Sequence, residues 1–372
     1  MAEGKSRKDS KKKPPSALHV VQGVEGGHDG MPGSESKAFR PARRNNNHLT
    51  TNEYVDGILA GDRTIIGRAI TLIESNARQH QEQAQELLKE ILPHSGNSIR
   101  VGITGVPGAG KSTFIEALGC QLTDAGNKVA VMAVDPSSSL TKGSILGDKT
   151  RMEQLSRDPN AFIRPSPSGG TLGGVARKTR ETIIVFEAAG FNVVLVETIG
   201  VGQNEITVRS MVDFFLLILI AGAGDELQGI KRGVMEIADA IIINKADGDN
   251  IKAAKLARAE YERAIHYLQP ATKGWNTGVH TASAIHGDGI KEIWDIITEY
   301  RAATKASGVF DERRREQSRL WLHSMLEERI KEMFYSQPDV VSALPKIERA
   351  VMDGSLPAAQ AAWEILNLLD KS

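Results

Sequence analysis

Cysteine occurs once in 372 residues, at Cys120. That excludes an intramolecular disulfide, leaves no cysteine cluster for zinc or nickel, and fits a reducing, cytoplasm-like compartment. Aromatic residues make up only 5%, and no apolar run reaches the ~18 residues of a membrane-spanning helix. Charge of either sign is not in excess, with 46 basic and 46 acidic residues. No global attraction to nucleic acid or to an anionic membrane is therefore expected. What is present is an ordinary soluble composition, 40% apolar and 25% charged, long enough for one large or two modest buried cores.

Residues 1–47 are rich in Lys, Arg, Gly, Pro, Ser and Asn without apolar periodicity, and read as a disordered tail. The run Lys11-Lys12-Lys13 fits a solvated tail better than a phosphate-binding patch. Glu3, Asp9, Glu25 and Asp29 speak against a transit peptide, and MAEGKS lacks the apolar core of a secretory signal. From Thr50 to Leu92, Val55, Ile58, Leu59, Ile65, Ile66, Ile70 and Ile73 fall mostly at helical spacings. Gly61-Asp62 divides this stretch into at least two helices and Pro93 stops it.

Between Ile99 and about Thr304, apolar runs alternate with helical stretches. The runs are 100–104, 128–134, 193–197, 214–220, 240–244 and 279–282. Such runs indicate a mainly parallel sheet covered by helices on both faces, an α/β fold. After Val309 the pattern is helical again, with Leu322, Leu326, Ile330 and Met333 in one stripe and a second apolar segment from Ala358 to Leu369. The expected organisation is a tail (1–47), an N-terminal helical extension (48–95), a central α/β domain (96–305) and a C-terminal helical region (306–372).

Residues 101–113 read VGITGVPGAGKST: strand, G-x-x-x-x-G-K-S, helix. Gly105, Gly108, Ala109 and Gly110 supply backbone amides that turn inward around phosphate oxygens. Lys111 would reach the β- and γ-phosphates, the Ser112 hydroxyl would ligate Mg²⁺, and Thr113 continues into a helix whose N-terminus favours anions. NKAD, Asn244 to Asp247, follows the apolar run ADAIIIN. The Asp247 carboxylate can accept from N1 and the 2-amino group of guanine, donors that adenine lacks. Asn244 and Lys245 belong to the same motif, and Ser283 and Ala284, in TASAIHG, would meet guanine O6 through backbone amides. GTP or GDP is thus the expected nucleotide.

Asp135 ends one apolar run, Glu197 ends another, and Asp148 lies in the loop KGSILGDKTRM. Three acids beside a phosphate loop suit Mg²⁺, held largely through water; each could instead cap a helix. AGAGDELQGIKRG, 221–233, is a glycine- and charge-rich loop at the same sheet edge, expected to be mobile, with Lys231 and Arg232 as available cations.

Taken together, GVPGAGKSTF, AVDPSSS, GDKTRM, IRPSPSGGTLGGV, VETIGVGQNE, AGDELQGIKRG and NKADGD strongly resemble the methylmalonyl-CoA mutase-associated GTPases of the MeaB, MMAA and ArgK type, within the SIMIBI class of P-loop proteins. The resemblance covers residues 50–370. It implies a GTP-hydrolysing chaperone that binds a B12-dependent acyl-CoA mutase, gates adenosylcobalamin loading and protects or reactivates the mutase. It implies Lys111, Ser112, Asp135, Asp148 and Glu197 as phosphate and magnesium residues, Asn244, Lys245 and Asp247 as guanine readers, and switches at 136–150, 198–210 and 223–233. It also implies a homodimer held partly by the C-terminal helices. No D-x-H-x-x-G occurs, so cobalamin is expected on the partner and not on this chain alone. A bacterial-type cytoplasm is expected, or a mitochondrial matrix if the source is eukaryotic.

Val201 stands where many GTPases carry a water-orienting Gln. Slow intrinsic hydrolysis is expected, lifted by the partner through a cation for which Lys231 is the candidate; Gln203 and Gln228 are alternatives for the water. Three rival readings are a nickel or zinc metallochaperone, a small-molecule P-loop kinase and a non-hydrolysing scaffold. The first needs Cys/His ligands that the chain has few of; NKAD and the switch-like loops speak against the second.

Overall fold

The computed structural model describes residues 49–134, 152–165, 172–198, 204–222 and 232–368; the expected tail lies outside them. From Leu49 onward the chain forms one compact unit. Its sheet has β1 (Ile99–Gly105), β2 (Val129–Val134), β3 (Ala161–Arg164), β4 (Val193–Thr198), β5 (Phe214–Ile220), β6 (Ala240–Asn244) and β7 (Gly278–Thr281). The order is β3-β2-β4-β1-β5-β6-β7, every neighbouring pair parallel. All six expected runs are strands. The seventh, β3, is only four residues long, ends in Arg164 and alternates between buried and half-buried positions at the sheet edge, too weak a pattern to stand out in sequence.

Thirteen α-helices are found among the described residues: α1 (Thr51–Leu59), α2 (Arg63–Glu74), α3 (Arg78–Ile91), α4 (Lys111–Asp124), α5 (Glu153–Arg157), α6 (Leu172–Ala188), α7 (Asn204–Arg209), α8 (Arg232–Glu236), α9 (Ile251–Ile265), α10 (Ile290–Ala306), α11 (Val309–Tyr335), α12 (Pro338–Met352) and α13 (Ala358–Leu366). Strand residues alternate between two cores, because successive side chains point to opposite faces. Val129, Val131, Leu195 and Phe214 join α4, α9 and α10 in one core. Ala130, Met132, Val194, Val196 and Phe215 join α1, α2, α3 and α6 in the other.

The N-terminal extension is therefore a structural cover. Tyr54, Ile58, Ile66, Ile70, Leu87 and Ile91 are buried in it, and each such side chain contributes about 1.5–3 kcal/mol. Local chemistry sets its breaks: Thr50 and Glu53 form a capping box on α1, and the Asp62 carboxylate caps α2 beside Gly61. The extension has three helices, α3 ending at Ile91 before a short turn that contains Pro93.

At the other end, α11 is bolted on by polar contacts. Arg314 donates to both Asp213 carboxylate oxygens at 2.7 and 2.6 Å, and Gln317 Nε2 donates to Val212 O at 2.8 Å. Farther along α11 the expected stripe of Leu322, Leu326, Ile330 and Met333 is 49–64% exposed on this chain.

Candidate functional site

The parallel register sets the functional edge. Ile103 lies beside Glu197 and Gly105 beside Ile218, so the glycine-rich segment leaves the sheet next to the end of β4. Ligands bind at such carboxyl ends in doubly wound sheets. Gly105 cannot be replaced: with φ +155°, an added Cβ would sit 2.0 Å from Ile218 O. Gly110, at φ +83°, is the left-handed residue from which α4 starts, and a Cβ there would meet Asn244 Nδ2 at 2.8 Å. Lys111 folds back over the loop, Nζ donating to Gly105 O at 2.9 Å and to Val106 O at 3.4 Å. Burial lowers its pKa, while the negative charges of Glu197 and Glu205 oppose that shift.

The residues expected to read guanine form a connected lattice. Asn244 is buried; its Nδ2 donates to Ala109 O at 2.7 Å, and its Oδ1 accepts from the Ala284 amide at 3.2 Å. One side chain thus ties the phosphate loop, the end of β6 and the segment after β7 together. The Ser283 hydroxyl donates to Asp247 Oδ2 at 2.5 Å, fixing the carboxylate before any base arrives. Lys245 is exposed and held at φ 58°, an uncommon conformation for a non-glycine residue. The two amides expected to meet guanine O6 have partners inside the protein: Ser283 N donates to Asp288 O and Ala284 N to Asn244. Ser283 joins the lattice through its hydroxyl, which sequence spacing did not reveal.

On the metal side, Ser112 Oγ donates to Glu197 Oε1 at 3.2 Å. A hydroxyl and a carboxylate in contact are hard oxygen donors that fit Mg²⁺. Next to Glu197, Thr198 Oγ1 donates to Thr104 Oγ1 at 2.8 Å, both residues fully buried. This bond clamps the ends of β4 and β1 together and fixes the separation of Glu197 from the phosphate loop. Asp135, Asp148, Val201, Gln203, Gln228 and Lys231 lie outside the described residues, as do 136–150 and 223–231, and nothing is described of the Arg232 side chain. Among the described residues no group of three or more His, Cys, Asp or Glu could hold a metal ion.

Residues 66–339 match the family model for "Methylmalonyl Co-A mutase-associated GTPase MeaB". The chain belongs to this family. A Caulobacter vibrioides relative is 53% identical over 309 residues, covering 83% of this chain and 94% of that protein. The Escherichia coli protein named GTPase ArgK is 49% identical over 293 residues, 79% of this chain and 88% of its own. The Mus musculus protein named methylmalonic aciduria type A homolog, mitochondrial, is 45% identical over 316 residues, covering 82% and 76%. A solved structure named LAO/AO transport system kinase superposes with a TM-score of 0.71 at 39% identity, covering 87% of this chain and 99% of that one. The chain is accordingly a GTPase with the P-loop fold, and no helix among its described residues is long and apolar enough to cross a membrane.

Sequence reasoning passed over one acid of this GTPase. Glu205, fully buried in the first turn of α7, acts by charge on Lys111. A search for acids at strand ends finds Glu197 but skips Glu205, which follows a loop. Its complete burial is the signal, and burial is a property of the fold.

Proposed function

We propose that this GTPase is a nucleotide-switched chaperone of a B12-dependent acyl-CoA mutase of the methylmalonyl-CoA type, gating adenosylcobalamin loading and protecting or reactivating the mutase. The observation that carries the nucleotide half of this reading is the Asn244 lattice, which joins the phosphate loop to a carboxylate already oriented for guanine. The family to which the chain belongs supports the mutase half. In this reading the protein acts in a bacterial-type cytoplasm as a homodimer, with residues 306–372 contributing the dimer contact. The exposed apolar stripe on α11 and Trp363 on α13, 68% exposed, support a second copy there.

Hydrolysis proceeds by attack of water on the γ-phosphate, with catalysis by positioning and charge neutralisation. Lys111 leaves its two carbonyl acceptors for the phosphate oxygens, and the N–H groups of the glycine-rich loop, of which Pro107 has none, hold the phosphates. Ser112 and Glu197 would hold Mg²⁺, with Asp135 and Asp148 acting through water. When bound, the ion supplies positive charge beside the phosphates. The Val201 side chain offers no hydrogen bond to the attacking water, so turnover of the chain alone is slow. A cation brought into place by the mutase, with Lys231 as the candidate, raises it by roughly 10³–10⁵. If Lys231→Ala protein is stimulated as strongly as wild type, that assignment fails.

The test is capture of an acyl-CoA mutase by the tagged protein in the presence of GDP and of a non-hydrolysable GTP analogue. Affinity that differs between the two nucleotides is expected. Equal affinity in both states would reduce the protein to a scaffold, and no affinity in either would remove the mutase. The kinase reading, kept in view by the name of the solved relative, is tested by γ-labelled GTP: label is expected in phosphate alone.

A further inference from the structure

Helices α6, α7 and α11 enclose an open groove of about 360 Å³ on a different part of the molecule from the Asn244 lattice. It holds a cation that has no carboxylate partner among the described residues. Arg180 donates to Ser210 O at 2.9 Å, Ser210 Oγ at 2.7 Å and Gln317 O at 3.1 Å, and its guanidinium lies 5.6 Å from the Trp321 ring centre. All of these partners are neutral. Arg100, Arg209 and Arg314, by contrast, each pair with a buried carboxylate. Burial, with the nearby charge of Arg100 adding to it, pushes the Arg180 pKa down to about 10.

A second, independent observation concerns the wall. Trp321 Nε1 is buried and has no hydrogen-bond acceptor among the described residues, a state that costs the desolvation of the donor. Arg177, three residues before Arg180 on the same face of α6, adds another cation to the lining. Glu328 also lines the groove but forms no ion pair with either arginine. The remaining wall is apolar and open: Ile206 on α7 is 70% exposed and Leu320 on α11 is 49% exposed.

We propose that this groove receives an acidic side chain flanked by apolar residues on the surface of the partner mutase. The carboxylate would meet Arg180 and Arg177, and its apolar neighbours would cover Ile206 and Leu320. Charge complementarity selects this occupant: among the described residues Arg180 has only neutral partners, and Arg177, which also bears on the buried Glu181, adds a second positive charge. The assignment rests on the chaperone reading above. It also gives that reading a route. Ile206 faces the groove from the same turn of α7 in which its neighbour Glu205 faces inward, and Glu205 acts on Lys111. A mutase seated on Ile206 therefore touches the short helix whose inner side bears on the phosphate lysine.

The experiment uses the full chain, a methylmalonyl-CoA mutase as probe, and the variants Leu320→Glu and Arg177→Gln. Leu320 is 49% exposed and Arg177 half-buried, and Leu256→Glu on α9, 60% exposed, serves as control. Mutase Kd is expected to rise at least ~10-fold in both groove variants, with intrinsic GTP turnover and Tm unchanged and the control binding normally. If wild type and groove variants bind the mutase equally, the groove assignment is wrong and the chaperone reading stands. If wild type binds no mutase with either nucleotide, both are wrong. If the groove variants change sedimentation of the chain itself and leave mutase affinity unaltered, the groove is a self-association face and the proposal is overturned.

Discussion

The two halves of the nucleotide site are built differently. The guanine half is complete: Asn244 bridges Ala109 and Ala284, and Ser283 holds Asp247. The phosphate half is satisfied by temporary partners, with Lys111 on the Gly105 and Val106 carbonyls and Ser112 on Glu197. A preformed base site loses little order on binding and so favours affinity and selectivity. A phosphate half that must exchange its internal bonds for those of the ligand is one whose state depends on which nucleotide is present. The contrast separates recognition from switching within a single pocket.

Removing Lys111 should produce the largest effect, and on one half only. Truncating one partner of a buried, hydrogen-bonded charge pair costs about 2–5 kcal/mol, so Lys111→Ala is expected to weaken GTP binding by ~30- to ~4,000-fold. Tm without nucleotide should hardly change, because relief of a desolvated ammonium offsets the loss of its bonds to the Gly105 and Val106 carbonyls. Retention of tight binding in a calorimetric titration would overturn the phosphate-loop assignment.

Asp247→Asn probes the other half through selectivity. The substitution replaces one acceptor by a donor, and an unpaired polar contact costs about 1–3 kcal/mol. GTP affinity should drop ~5- to ~150-fold, while xanthosine triphosphate, which carries an oxygen in place of the 2-amino group, should gain relative to GTP. Unchanged preference between the two nucleotides would mean that Asp247 does not read the base.

Asn244→Ala tests whether the guanine half is preformed in the sense argued here. It orphans the Ala109 carbonyl and the Ala284 amide, so unfolding free energy without nucleotide should fall by about 1–3 kcal/mol. Lys111→Ala should show no such loss, and equal loss in the two variants would erase the distinction between the halves.

The smallest effect concerns the scaffold behind both halves. Burial alone would raise the Glu187 pKa, but Arg100, bonded at 2.8 Å through both Nε and Nη2, and the Ser98 hydroxyl together hold it below its ordinary 4.5. The pair therefore stabilises the fold fully above that value, and its contribution drains away as pH falls below it, through the depressed folded-state pKa. A Tm–pH series should show this acid limb in wild type and a shallower one in Glu187→Gln.

The fold was readable where the physics is local and periodic. Runs such as FFLLILI and ADAIIIN are buried on both sheet faces and announce strands, and G-x-x-x-x-G-K-S and N-K-x-D need specific residues at fixed spacing. AFIR escaped because an edge strand of four residues carries little pattern. The Ser283 hydroxyl bond, the Thr104–Thr198 clamp and buried Glu205 escaped for another reason. Each depends on two segments far apart in sequence meeting at one sheet edge, which no local window records. Arg180 is the extreme case: only its partners, all neutral, distinguish it from any other helix arginine.

The central claim is that the site recognises GTP unaided but hydrolyses it at speed only when its partner completes the phosphate half. The most direct measurement is single-turnover hydrolysis of prebound GTP by the full chain, alone and with saturating methylmalonyl-CoA mutase. Slow release of phosphate alone and a rate raised by orders of magnitude with the mutase is the predicted result. Rapid hydrolysis by the isolated chain, or a rate indifferent to the mutase, would contradict it.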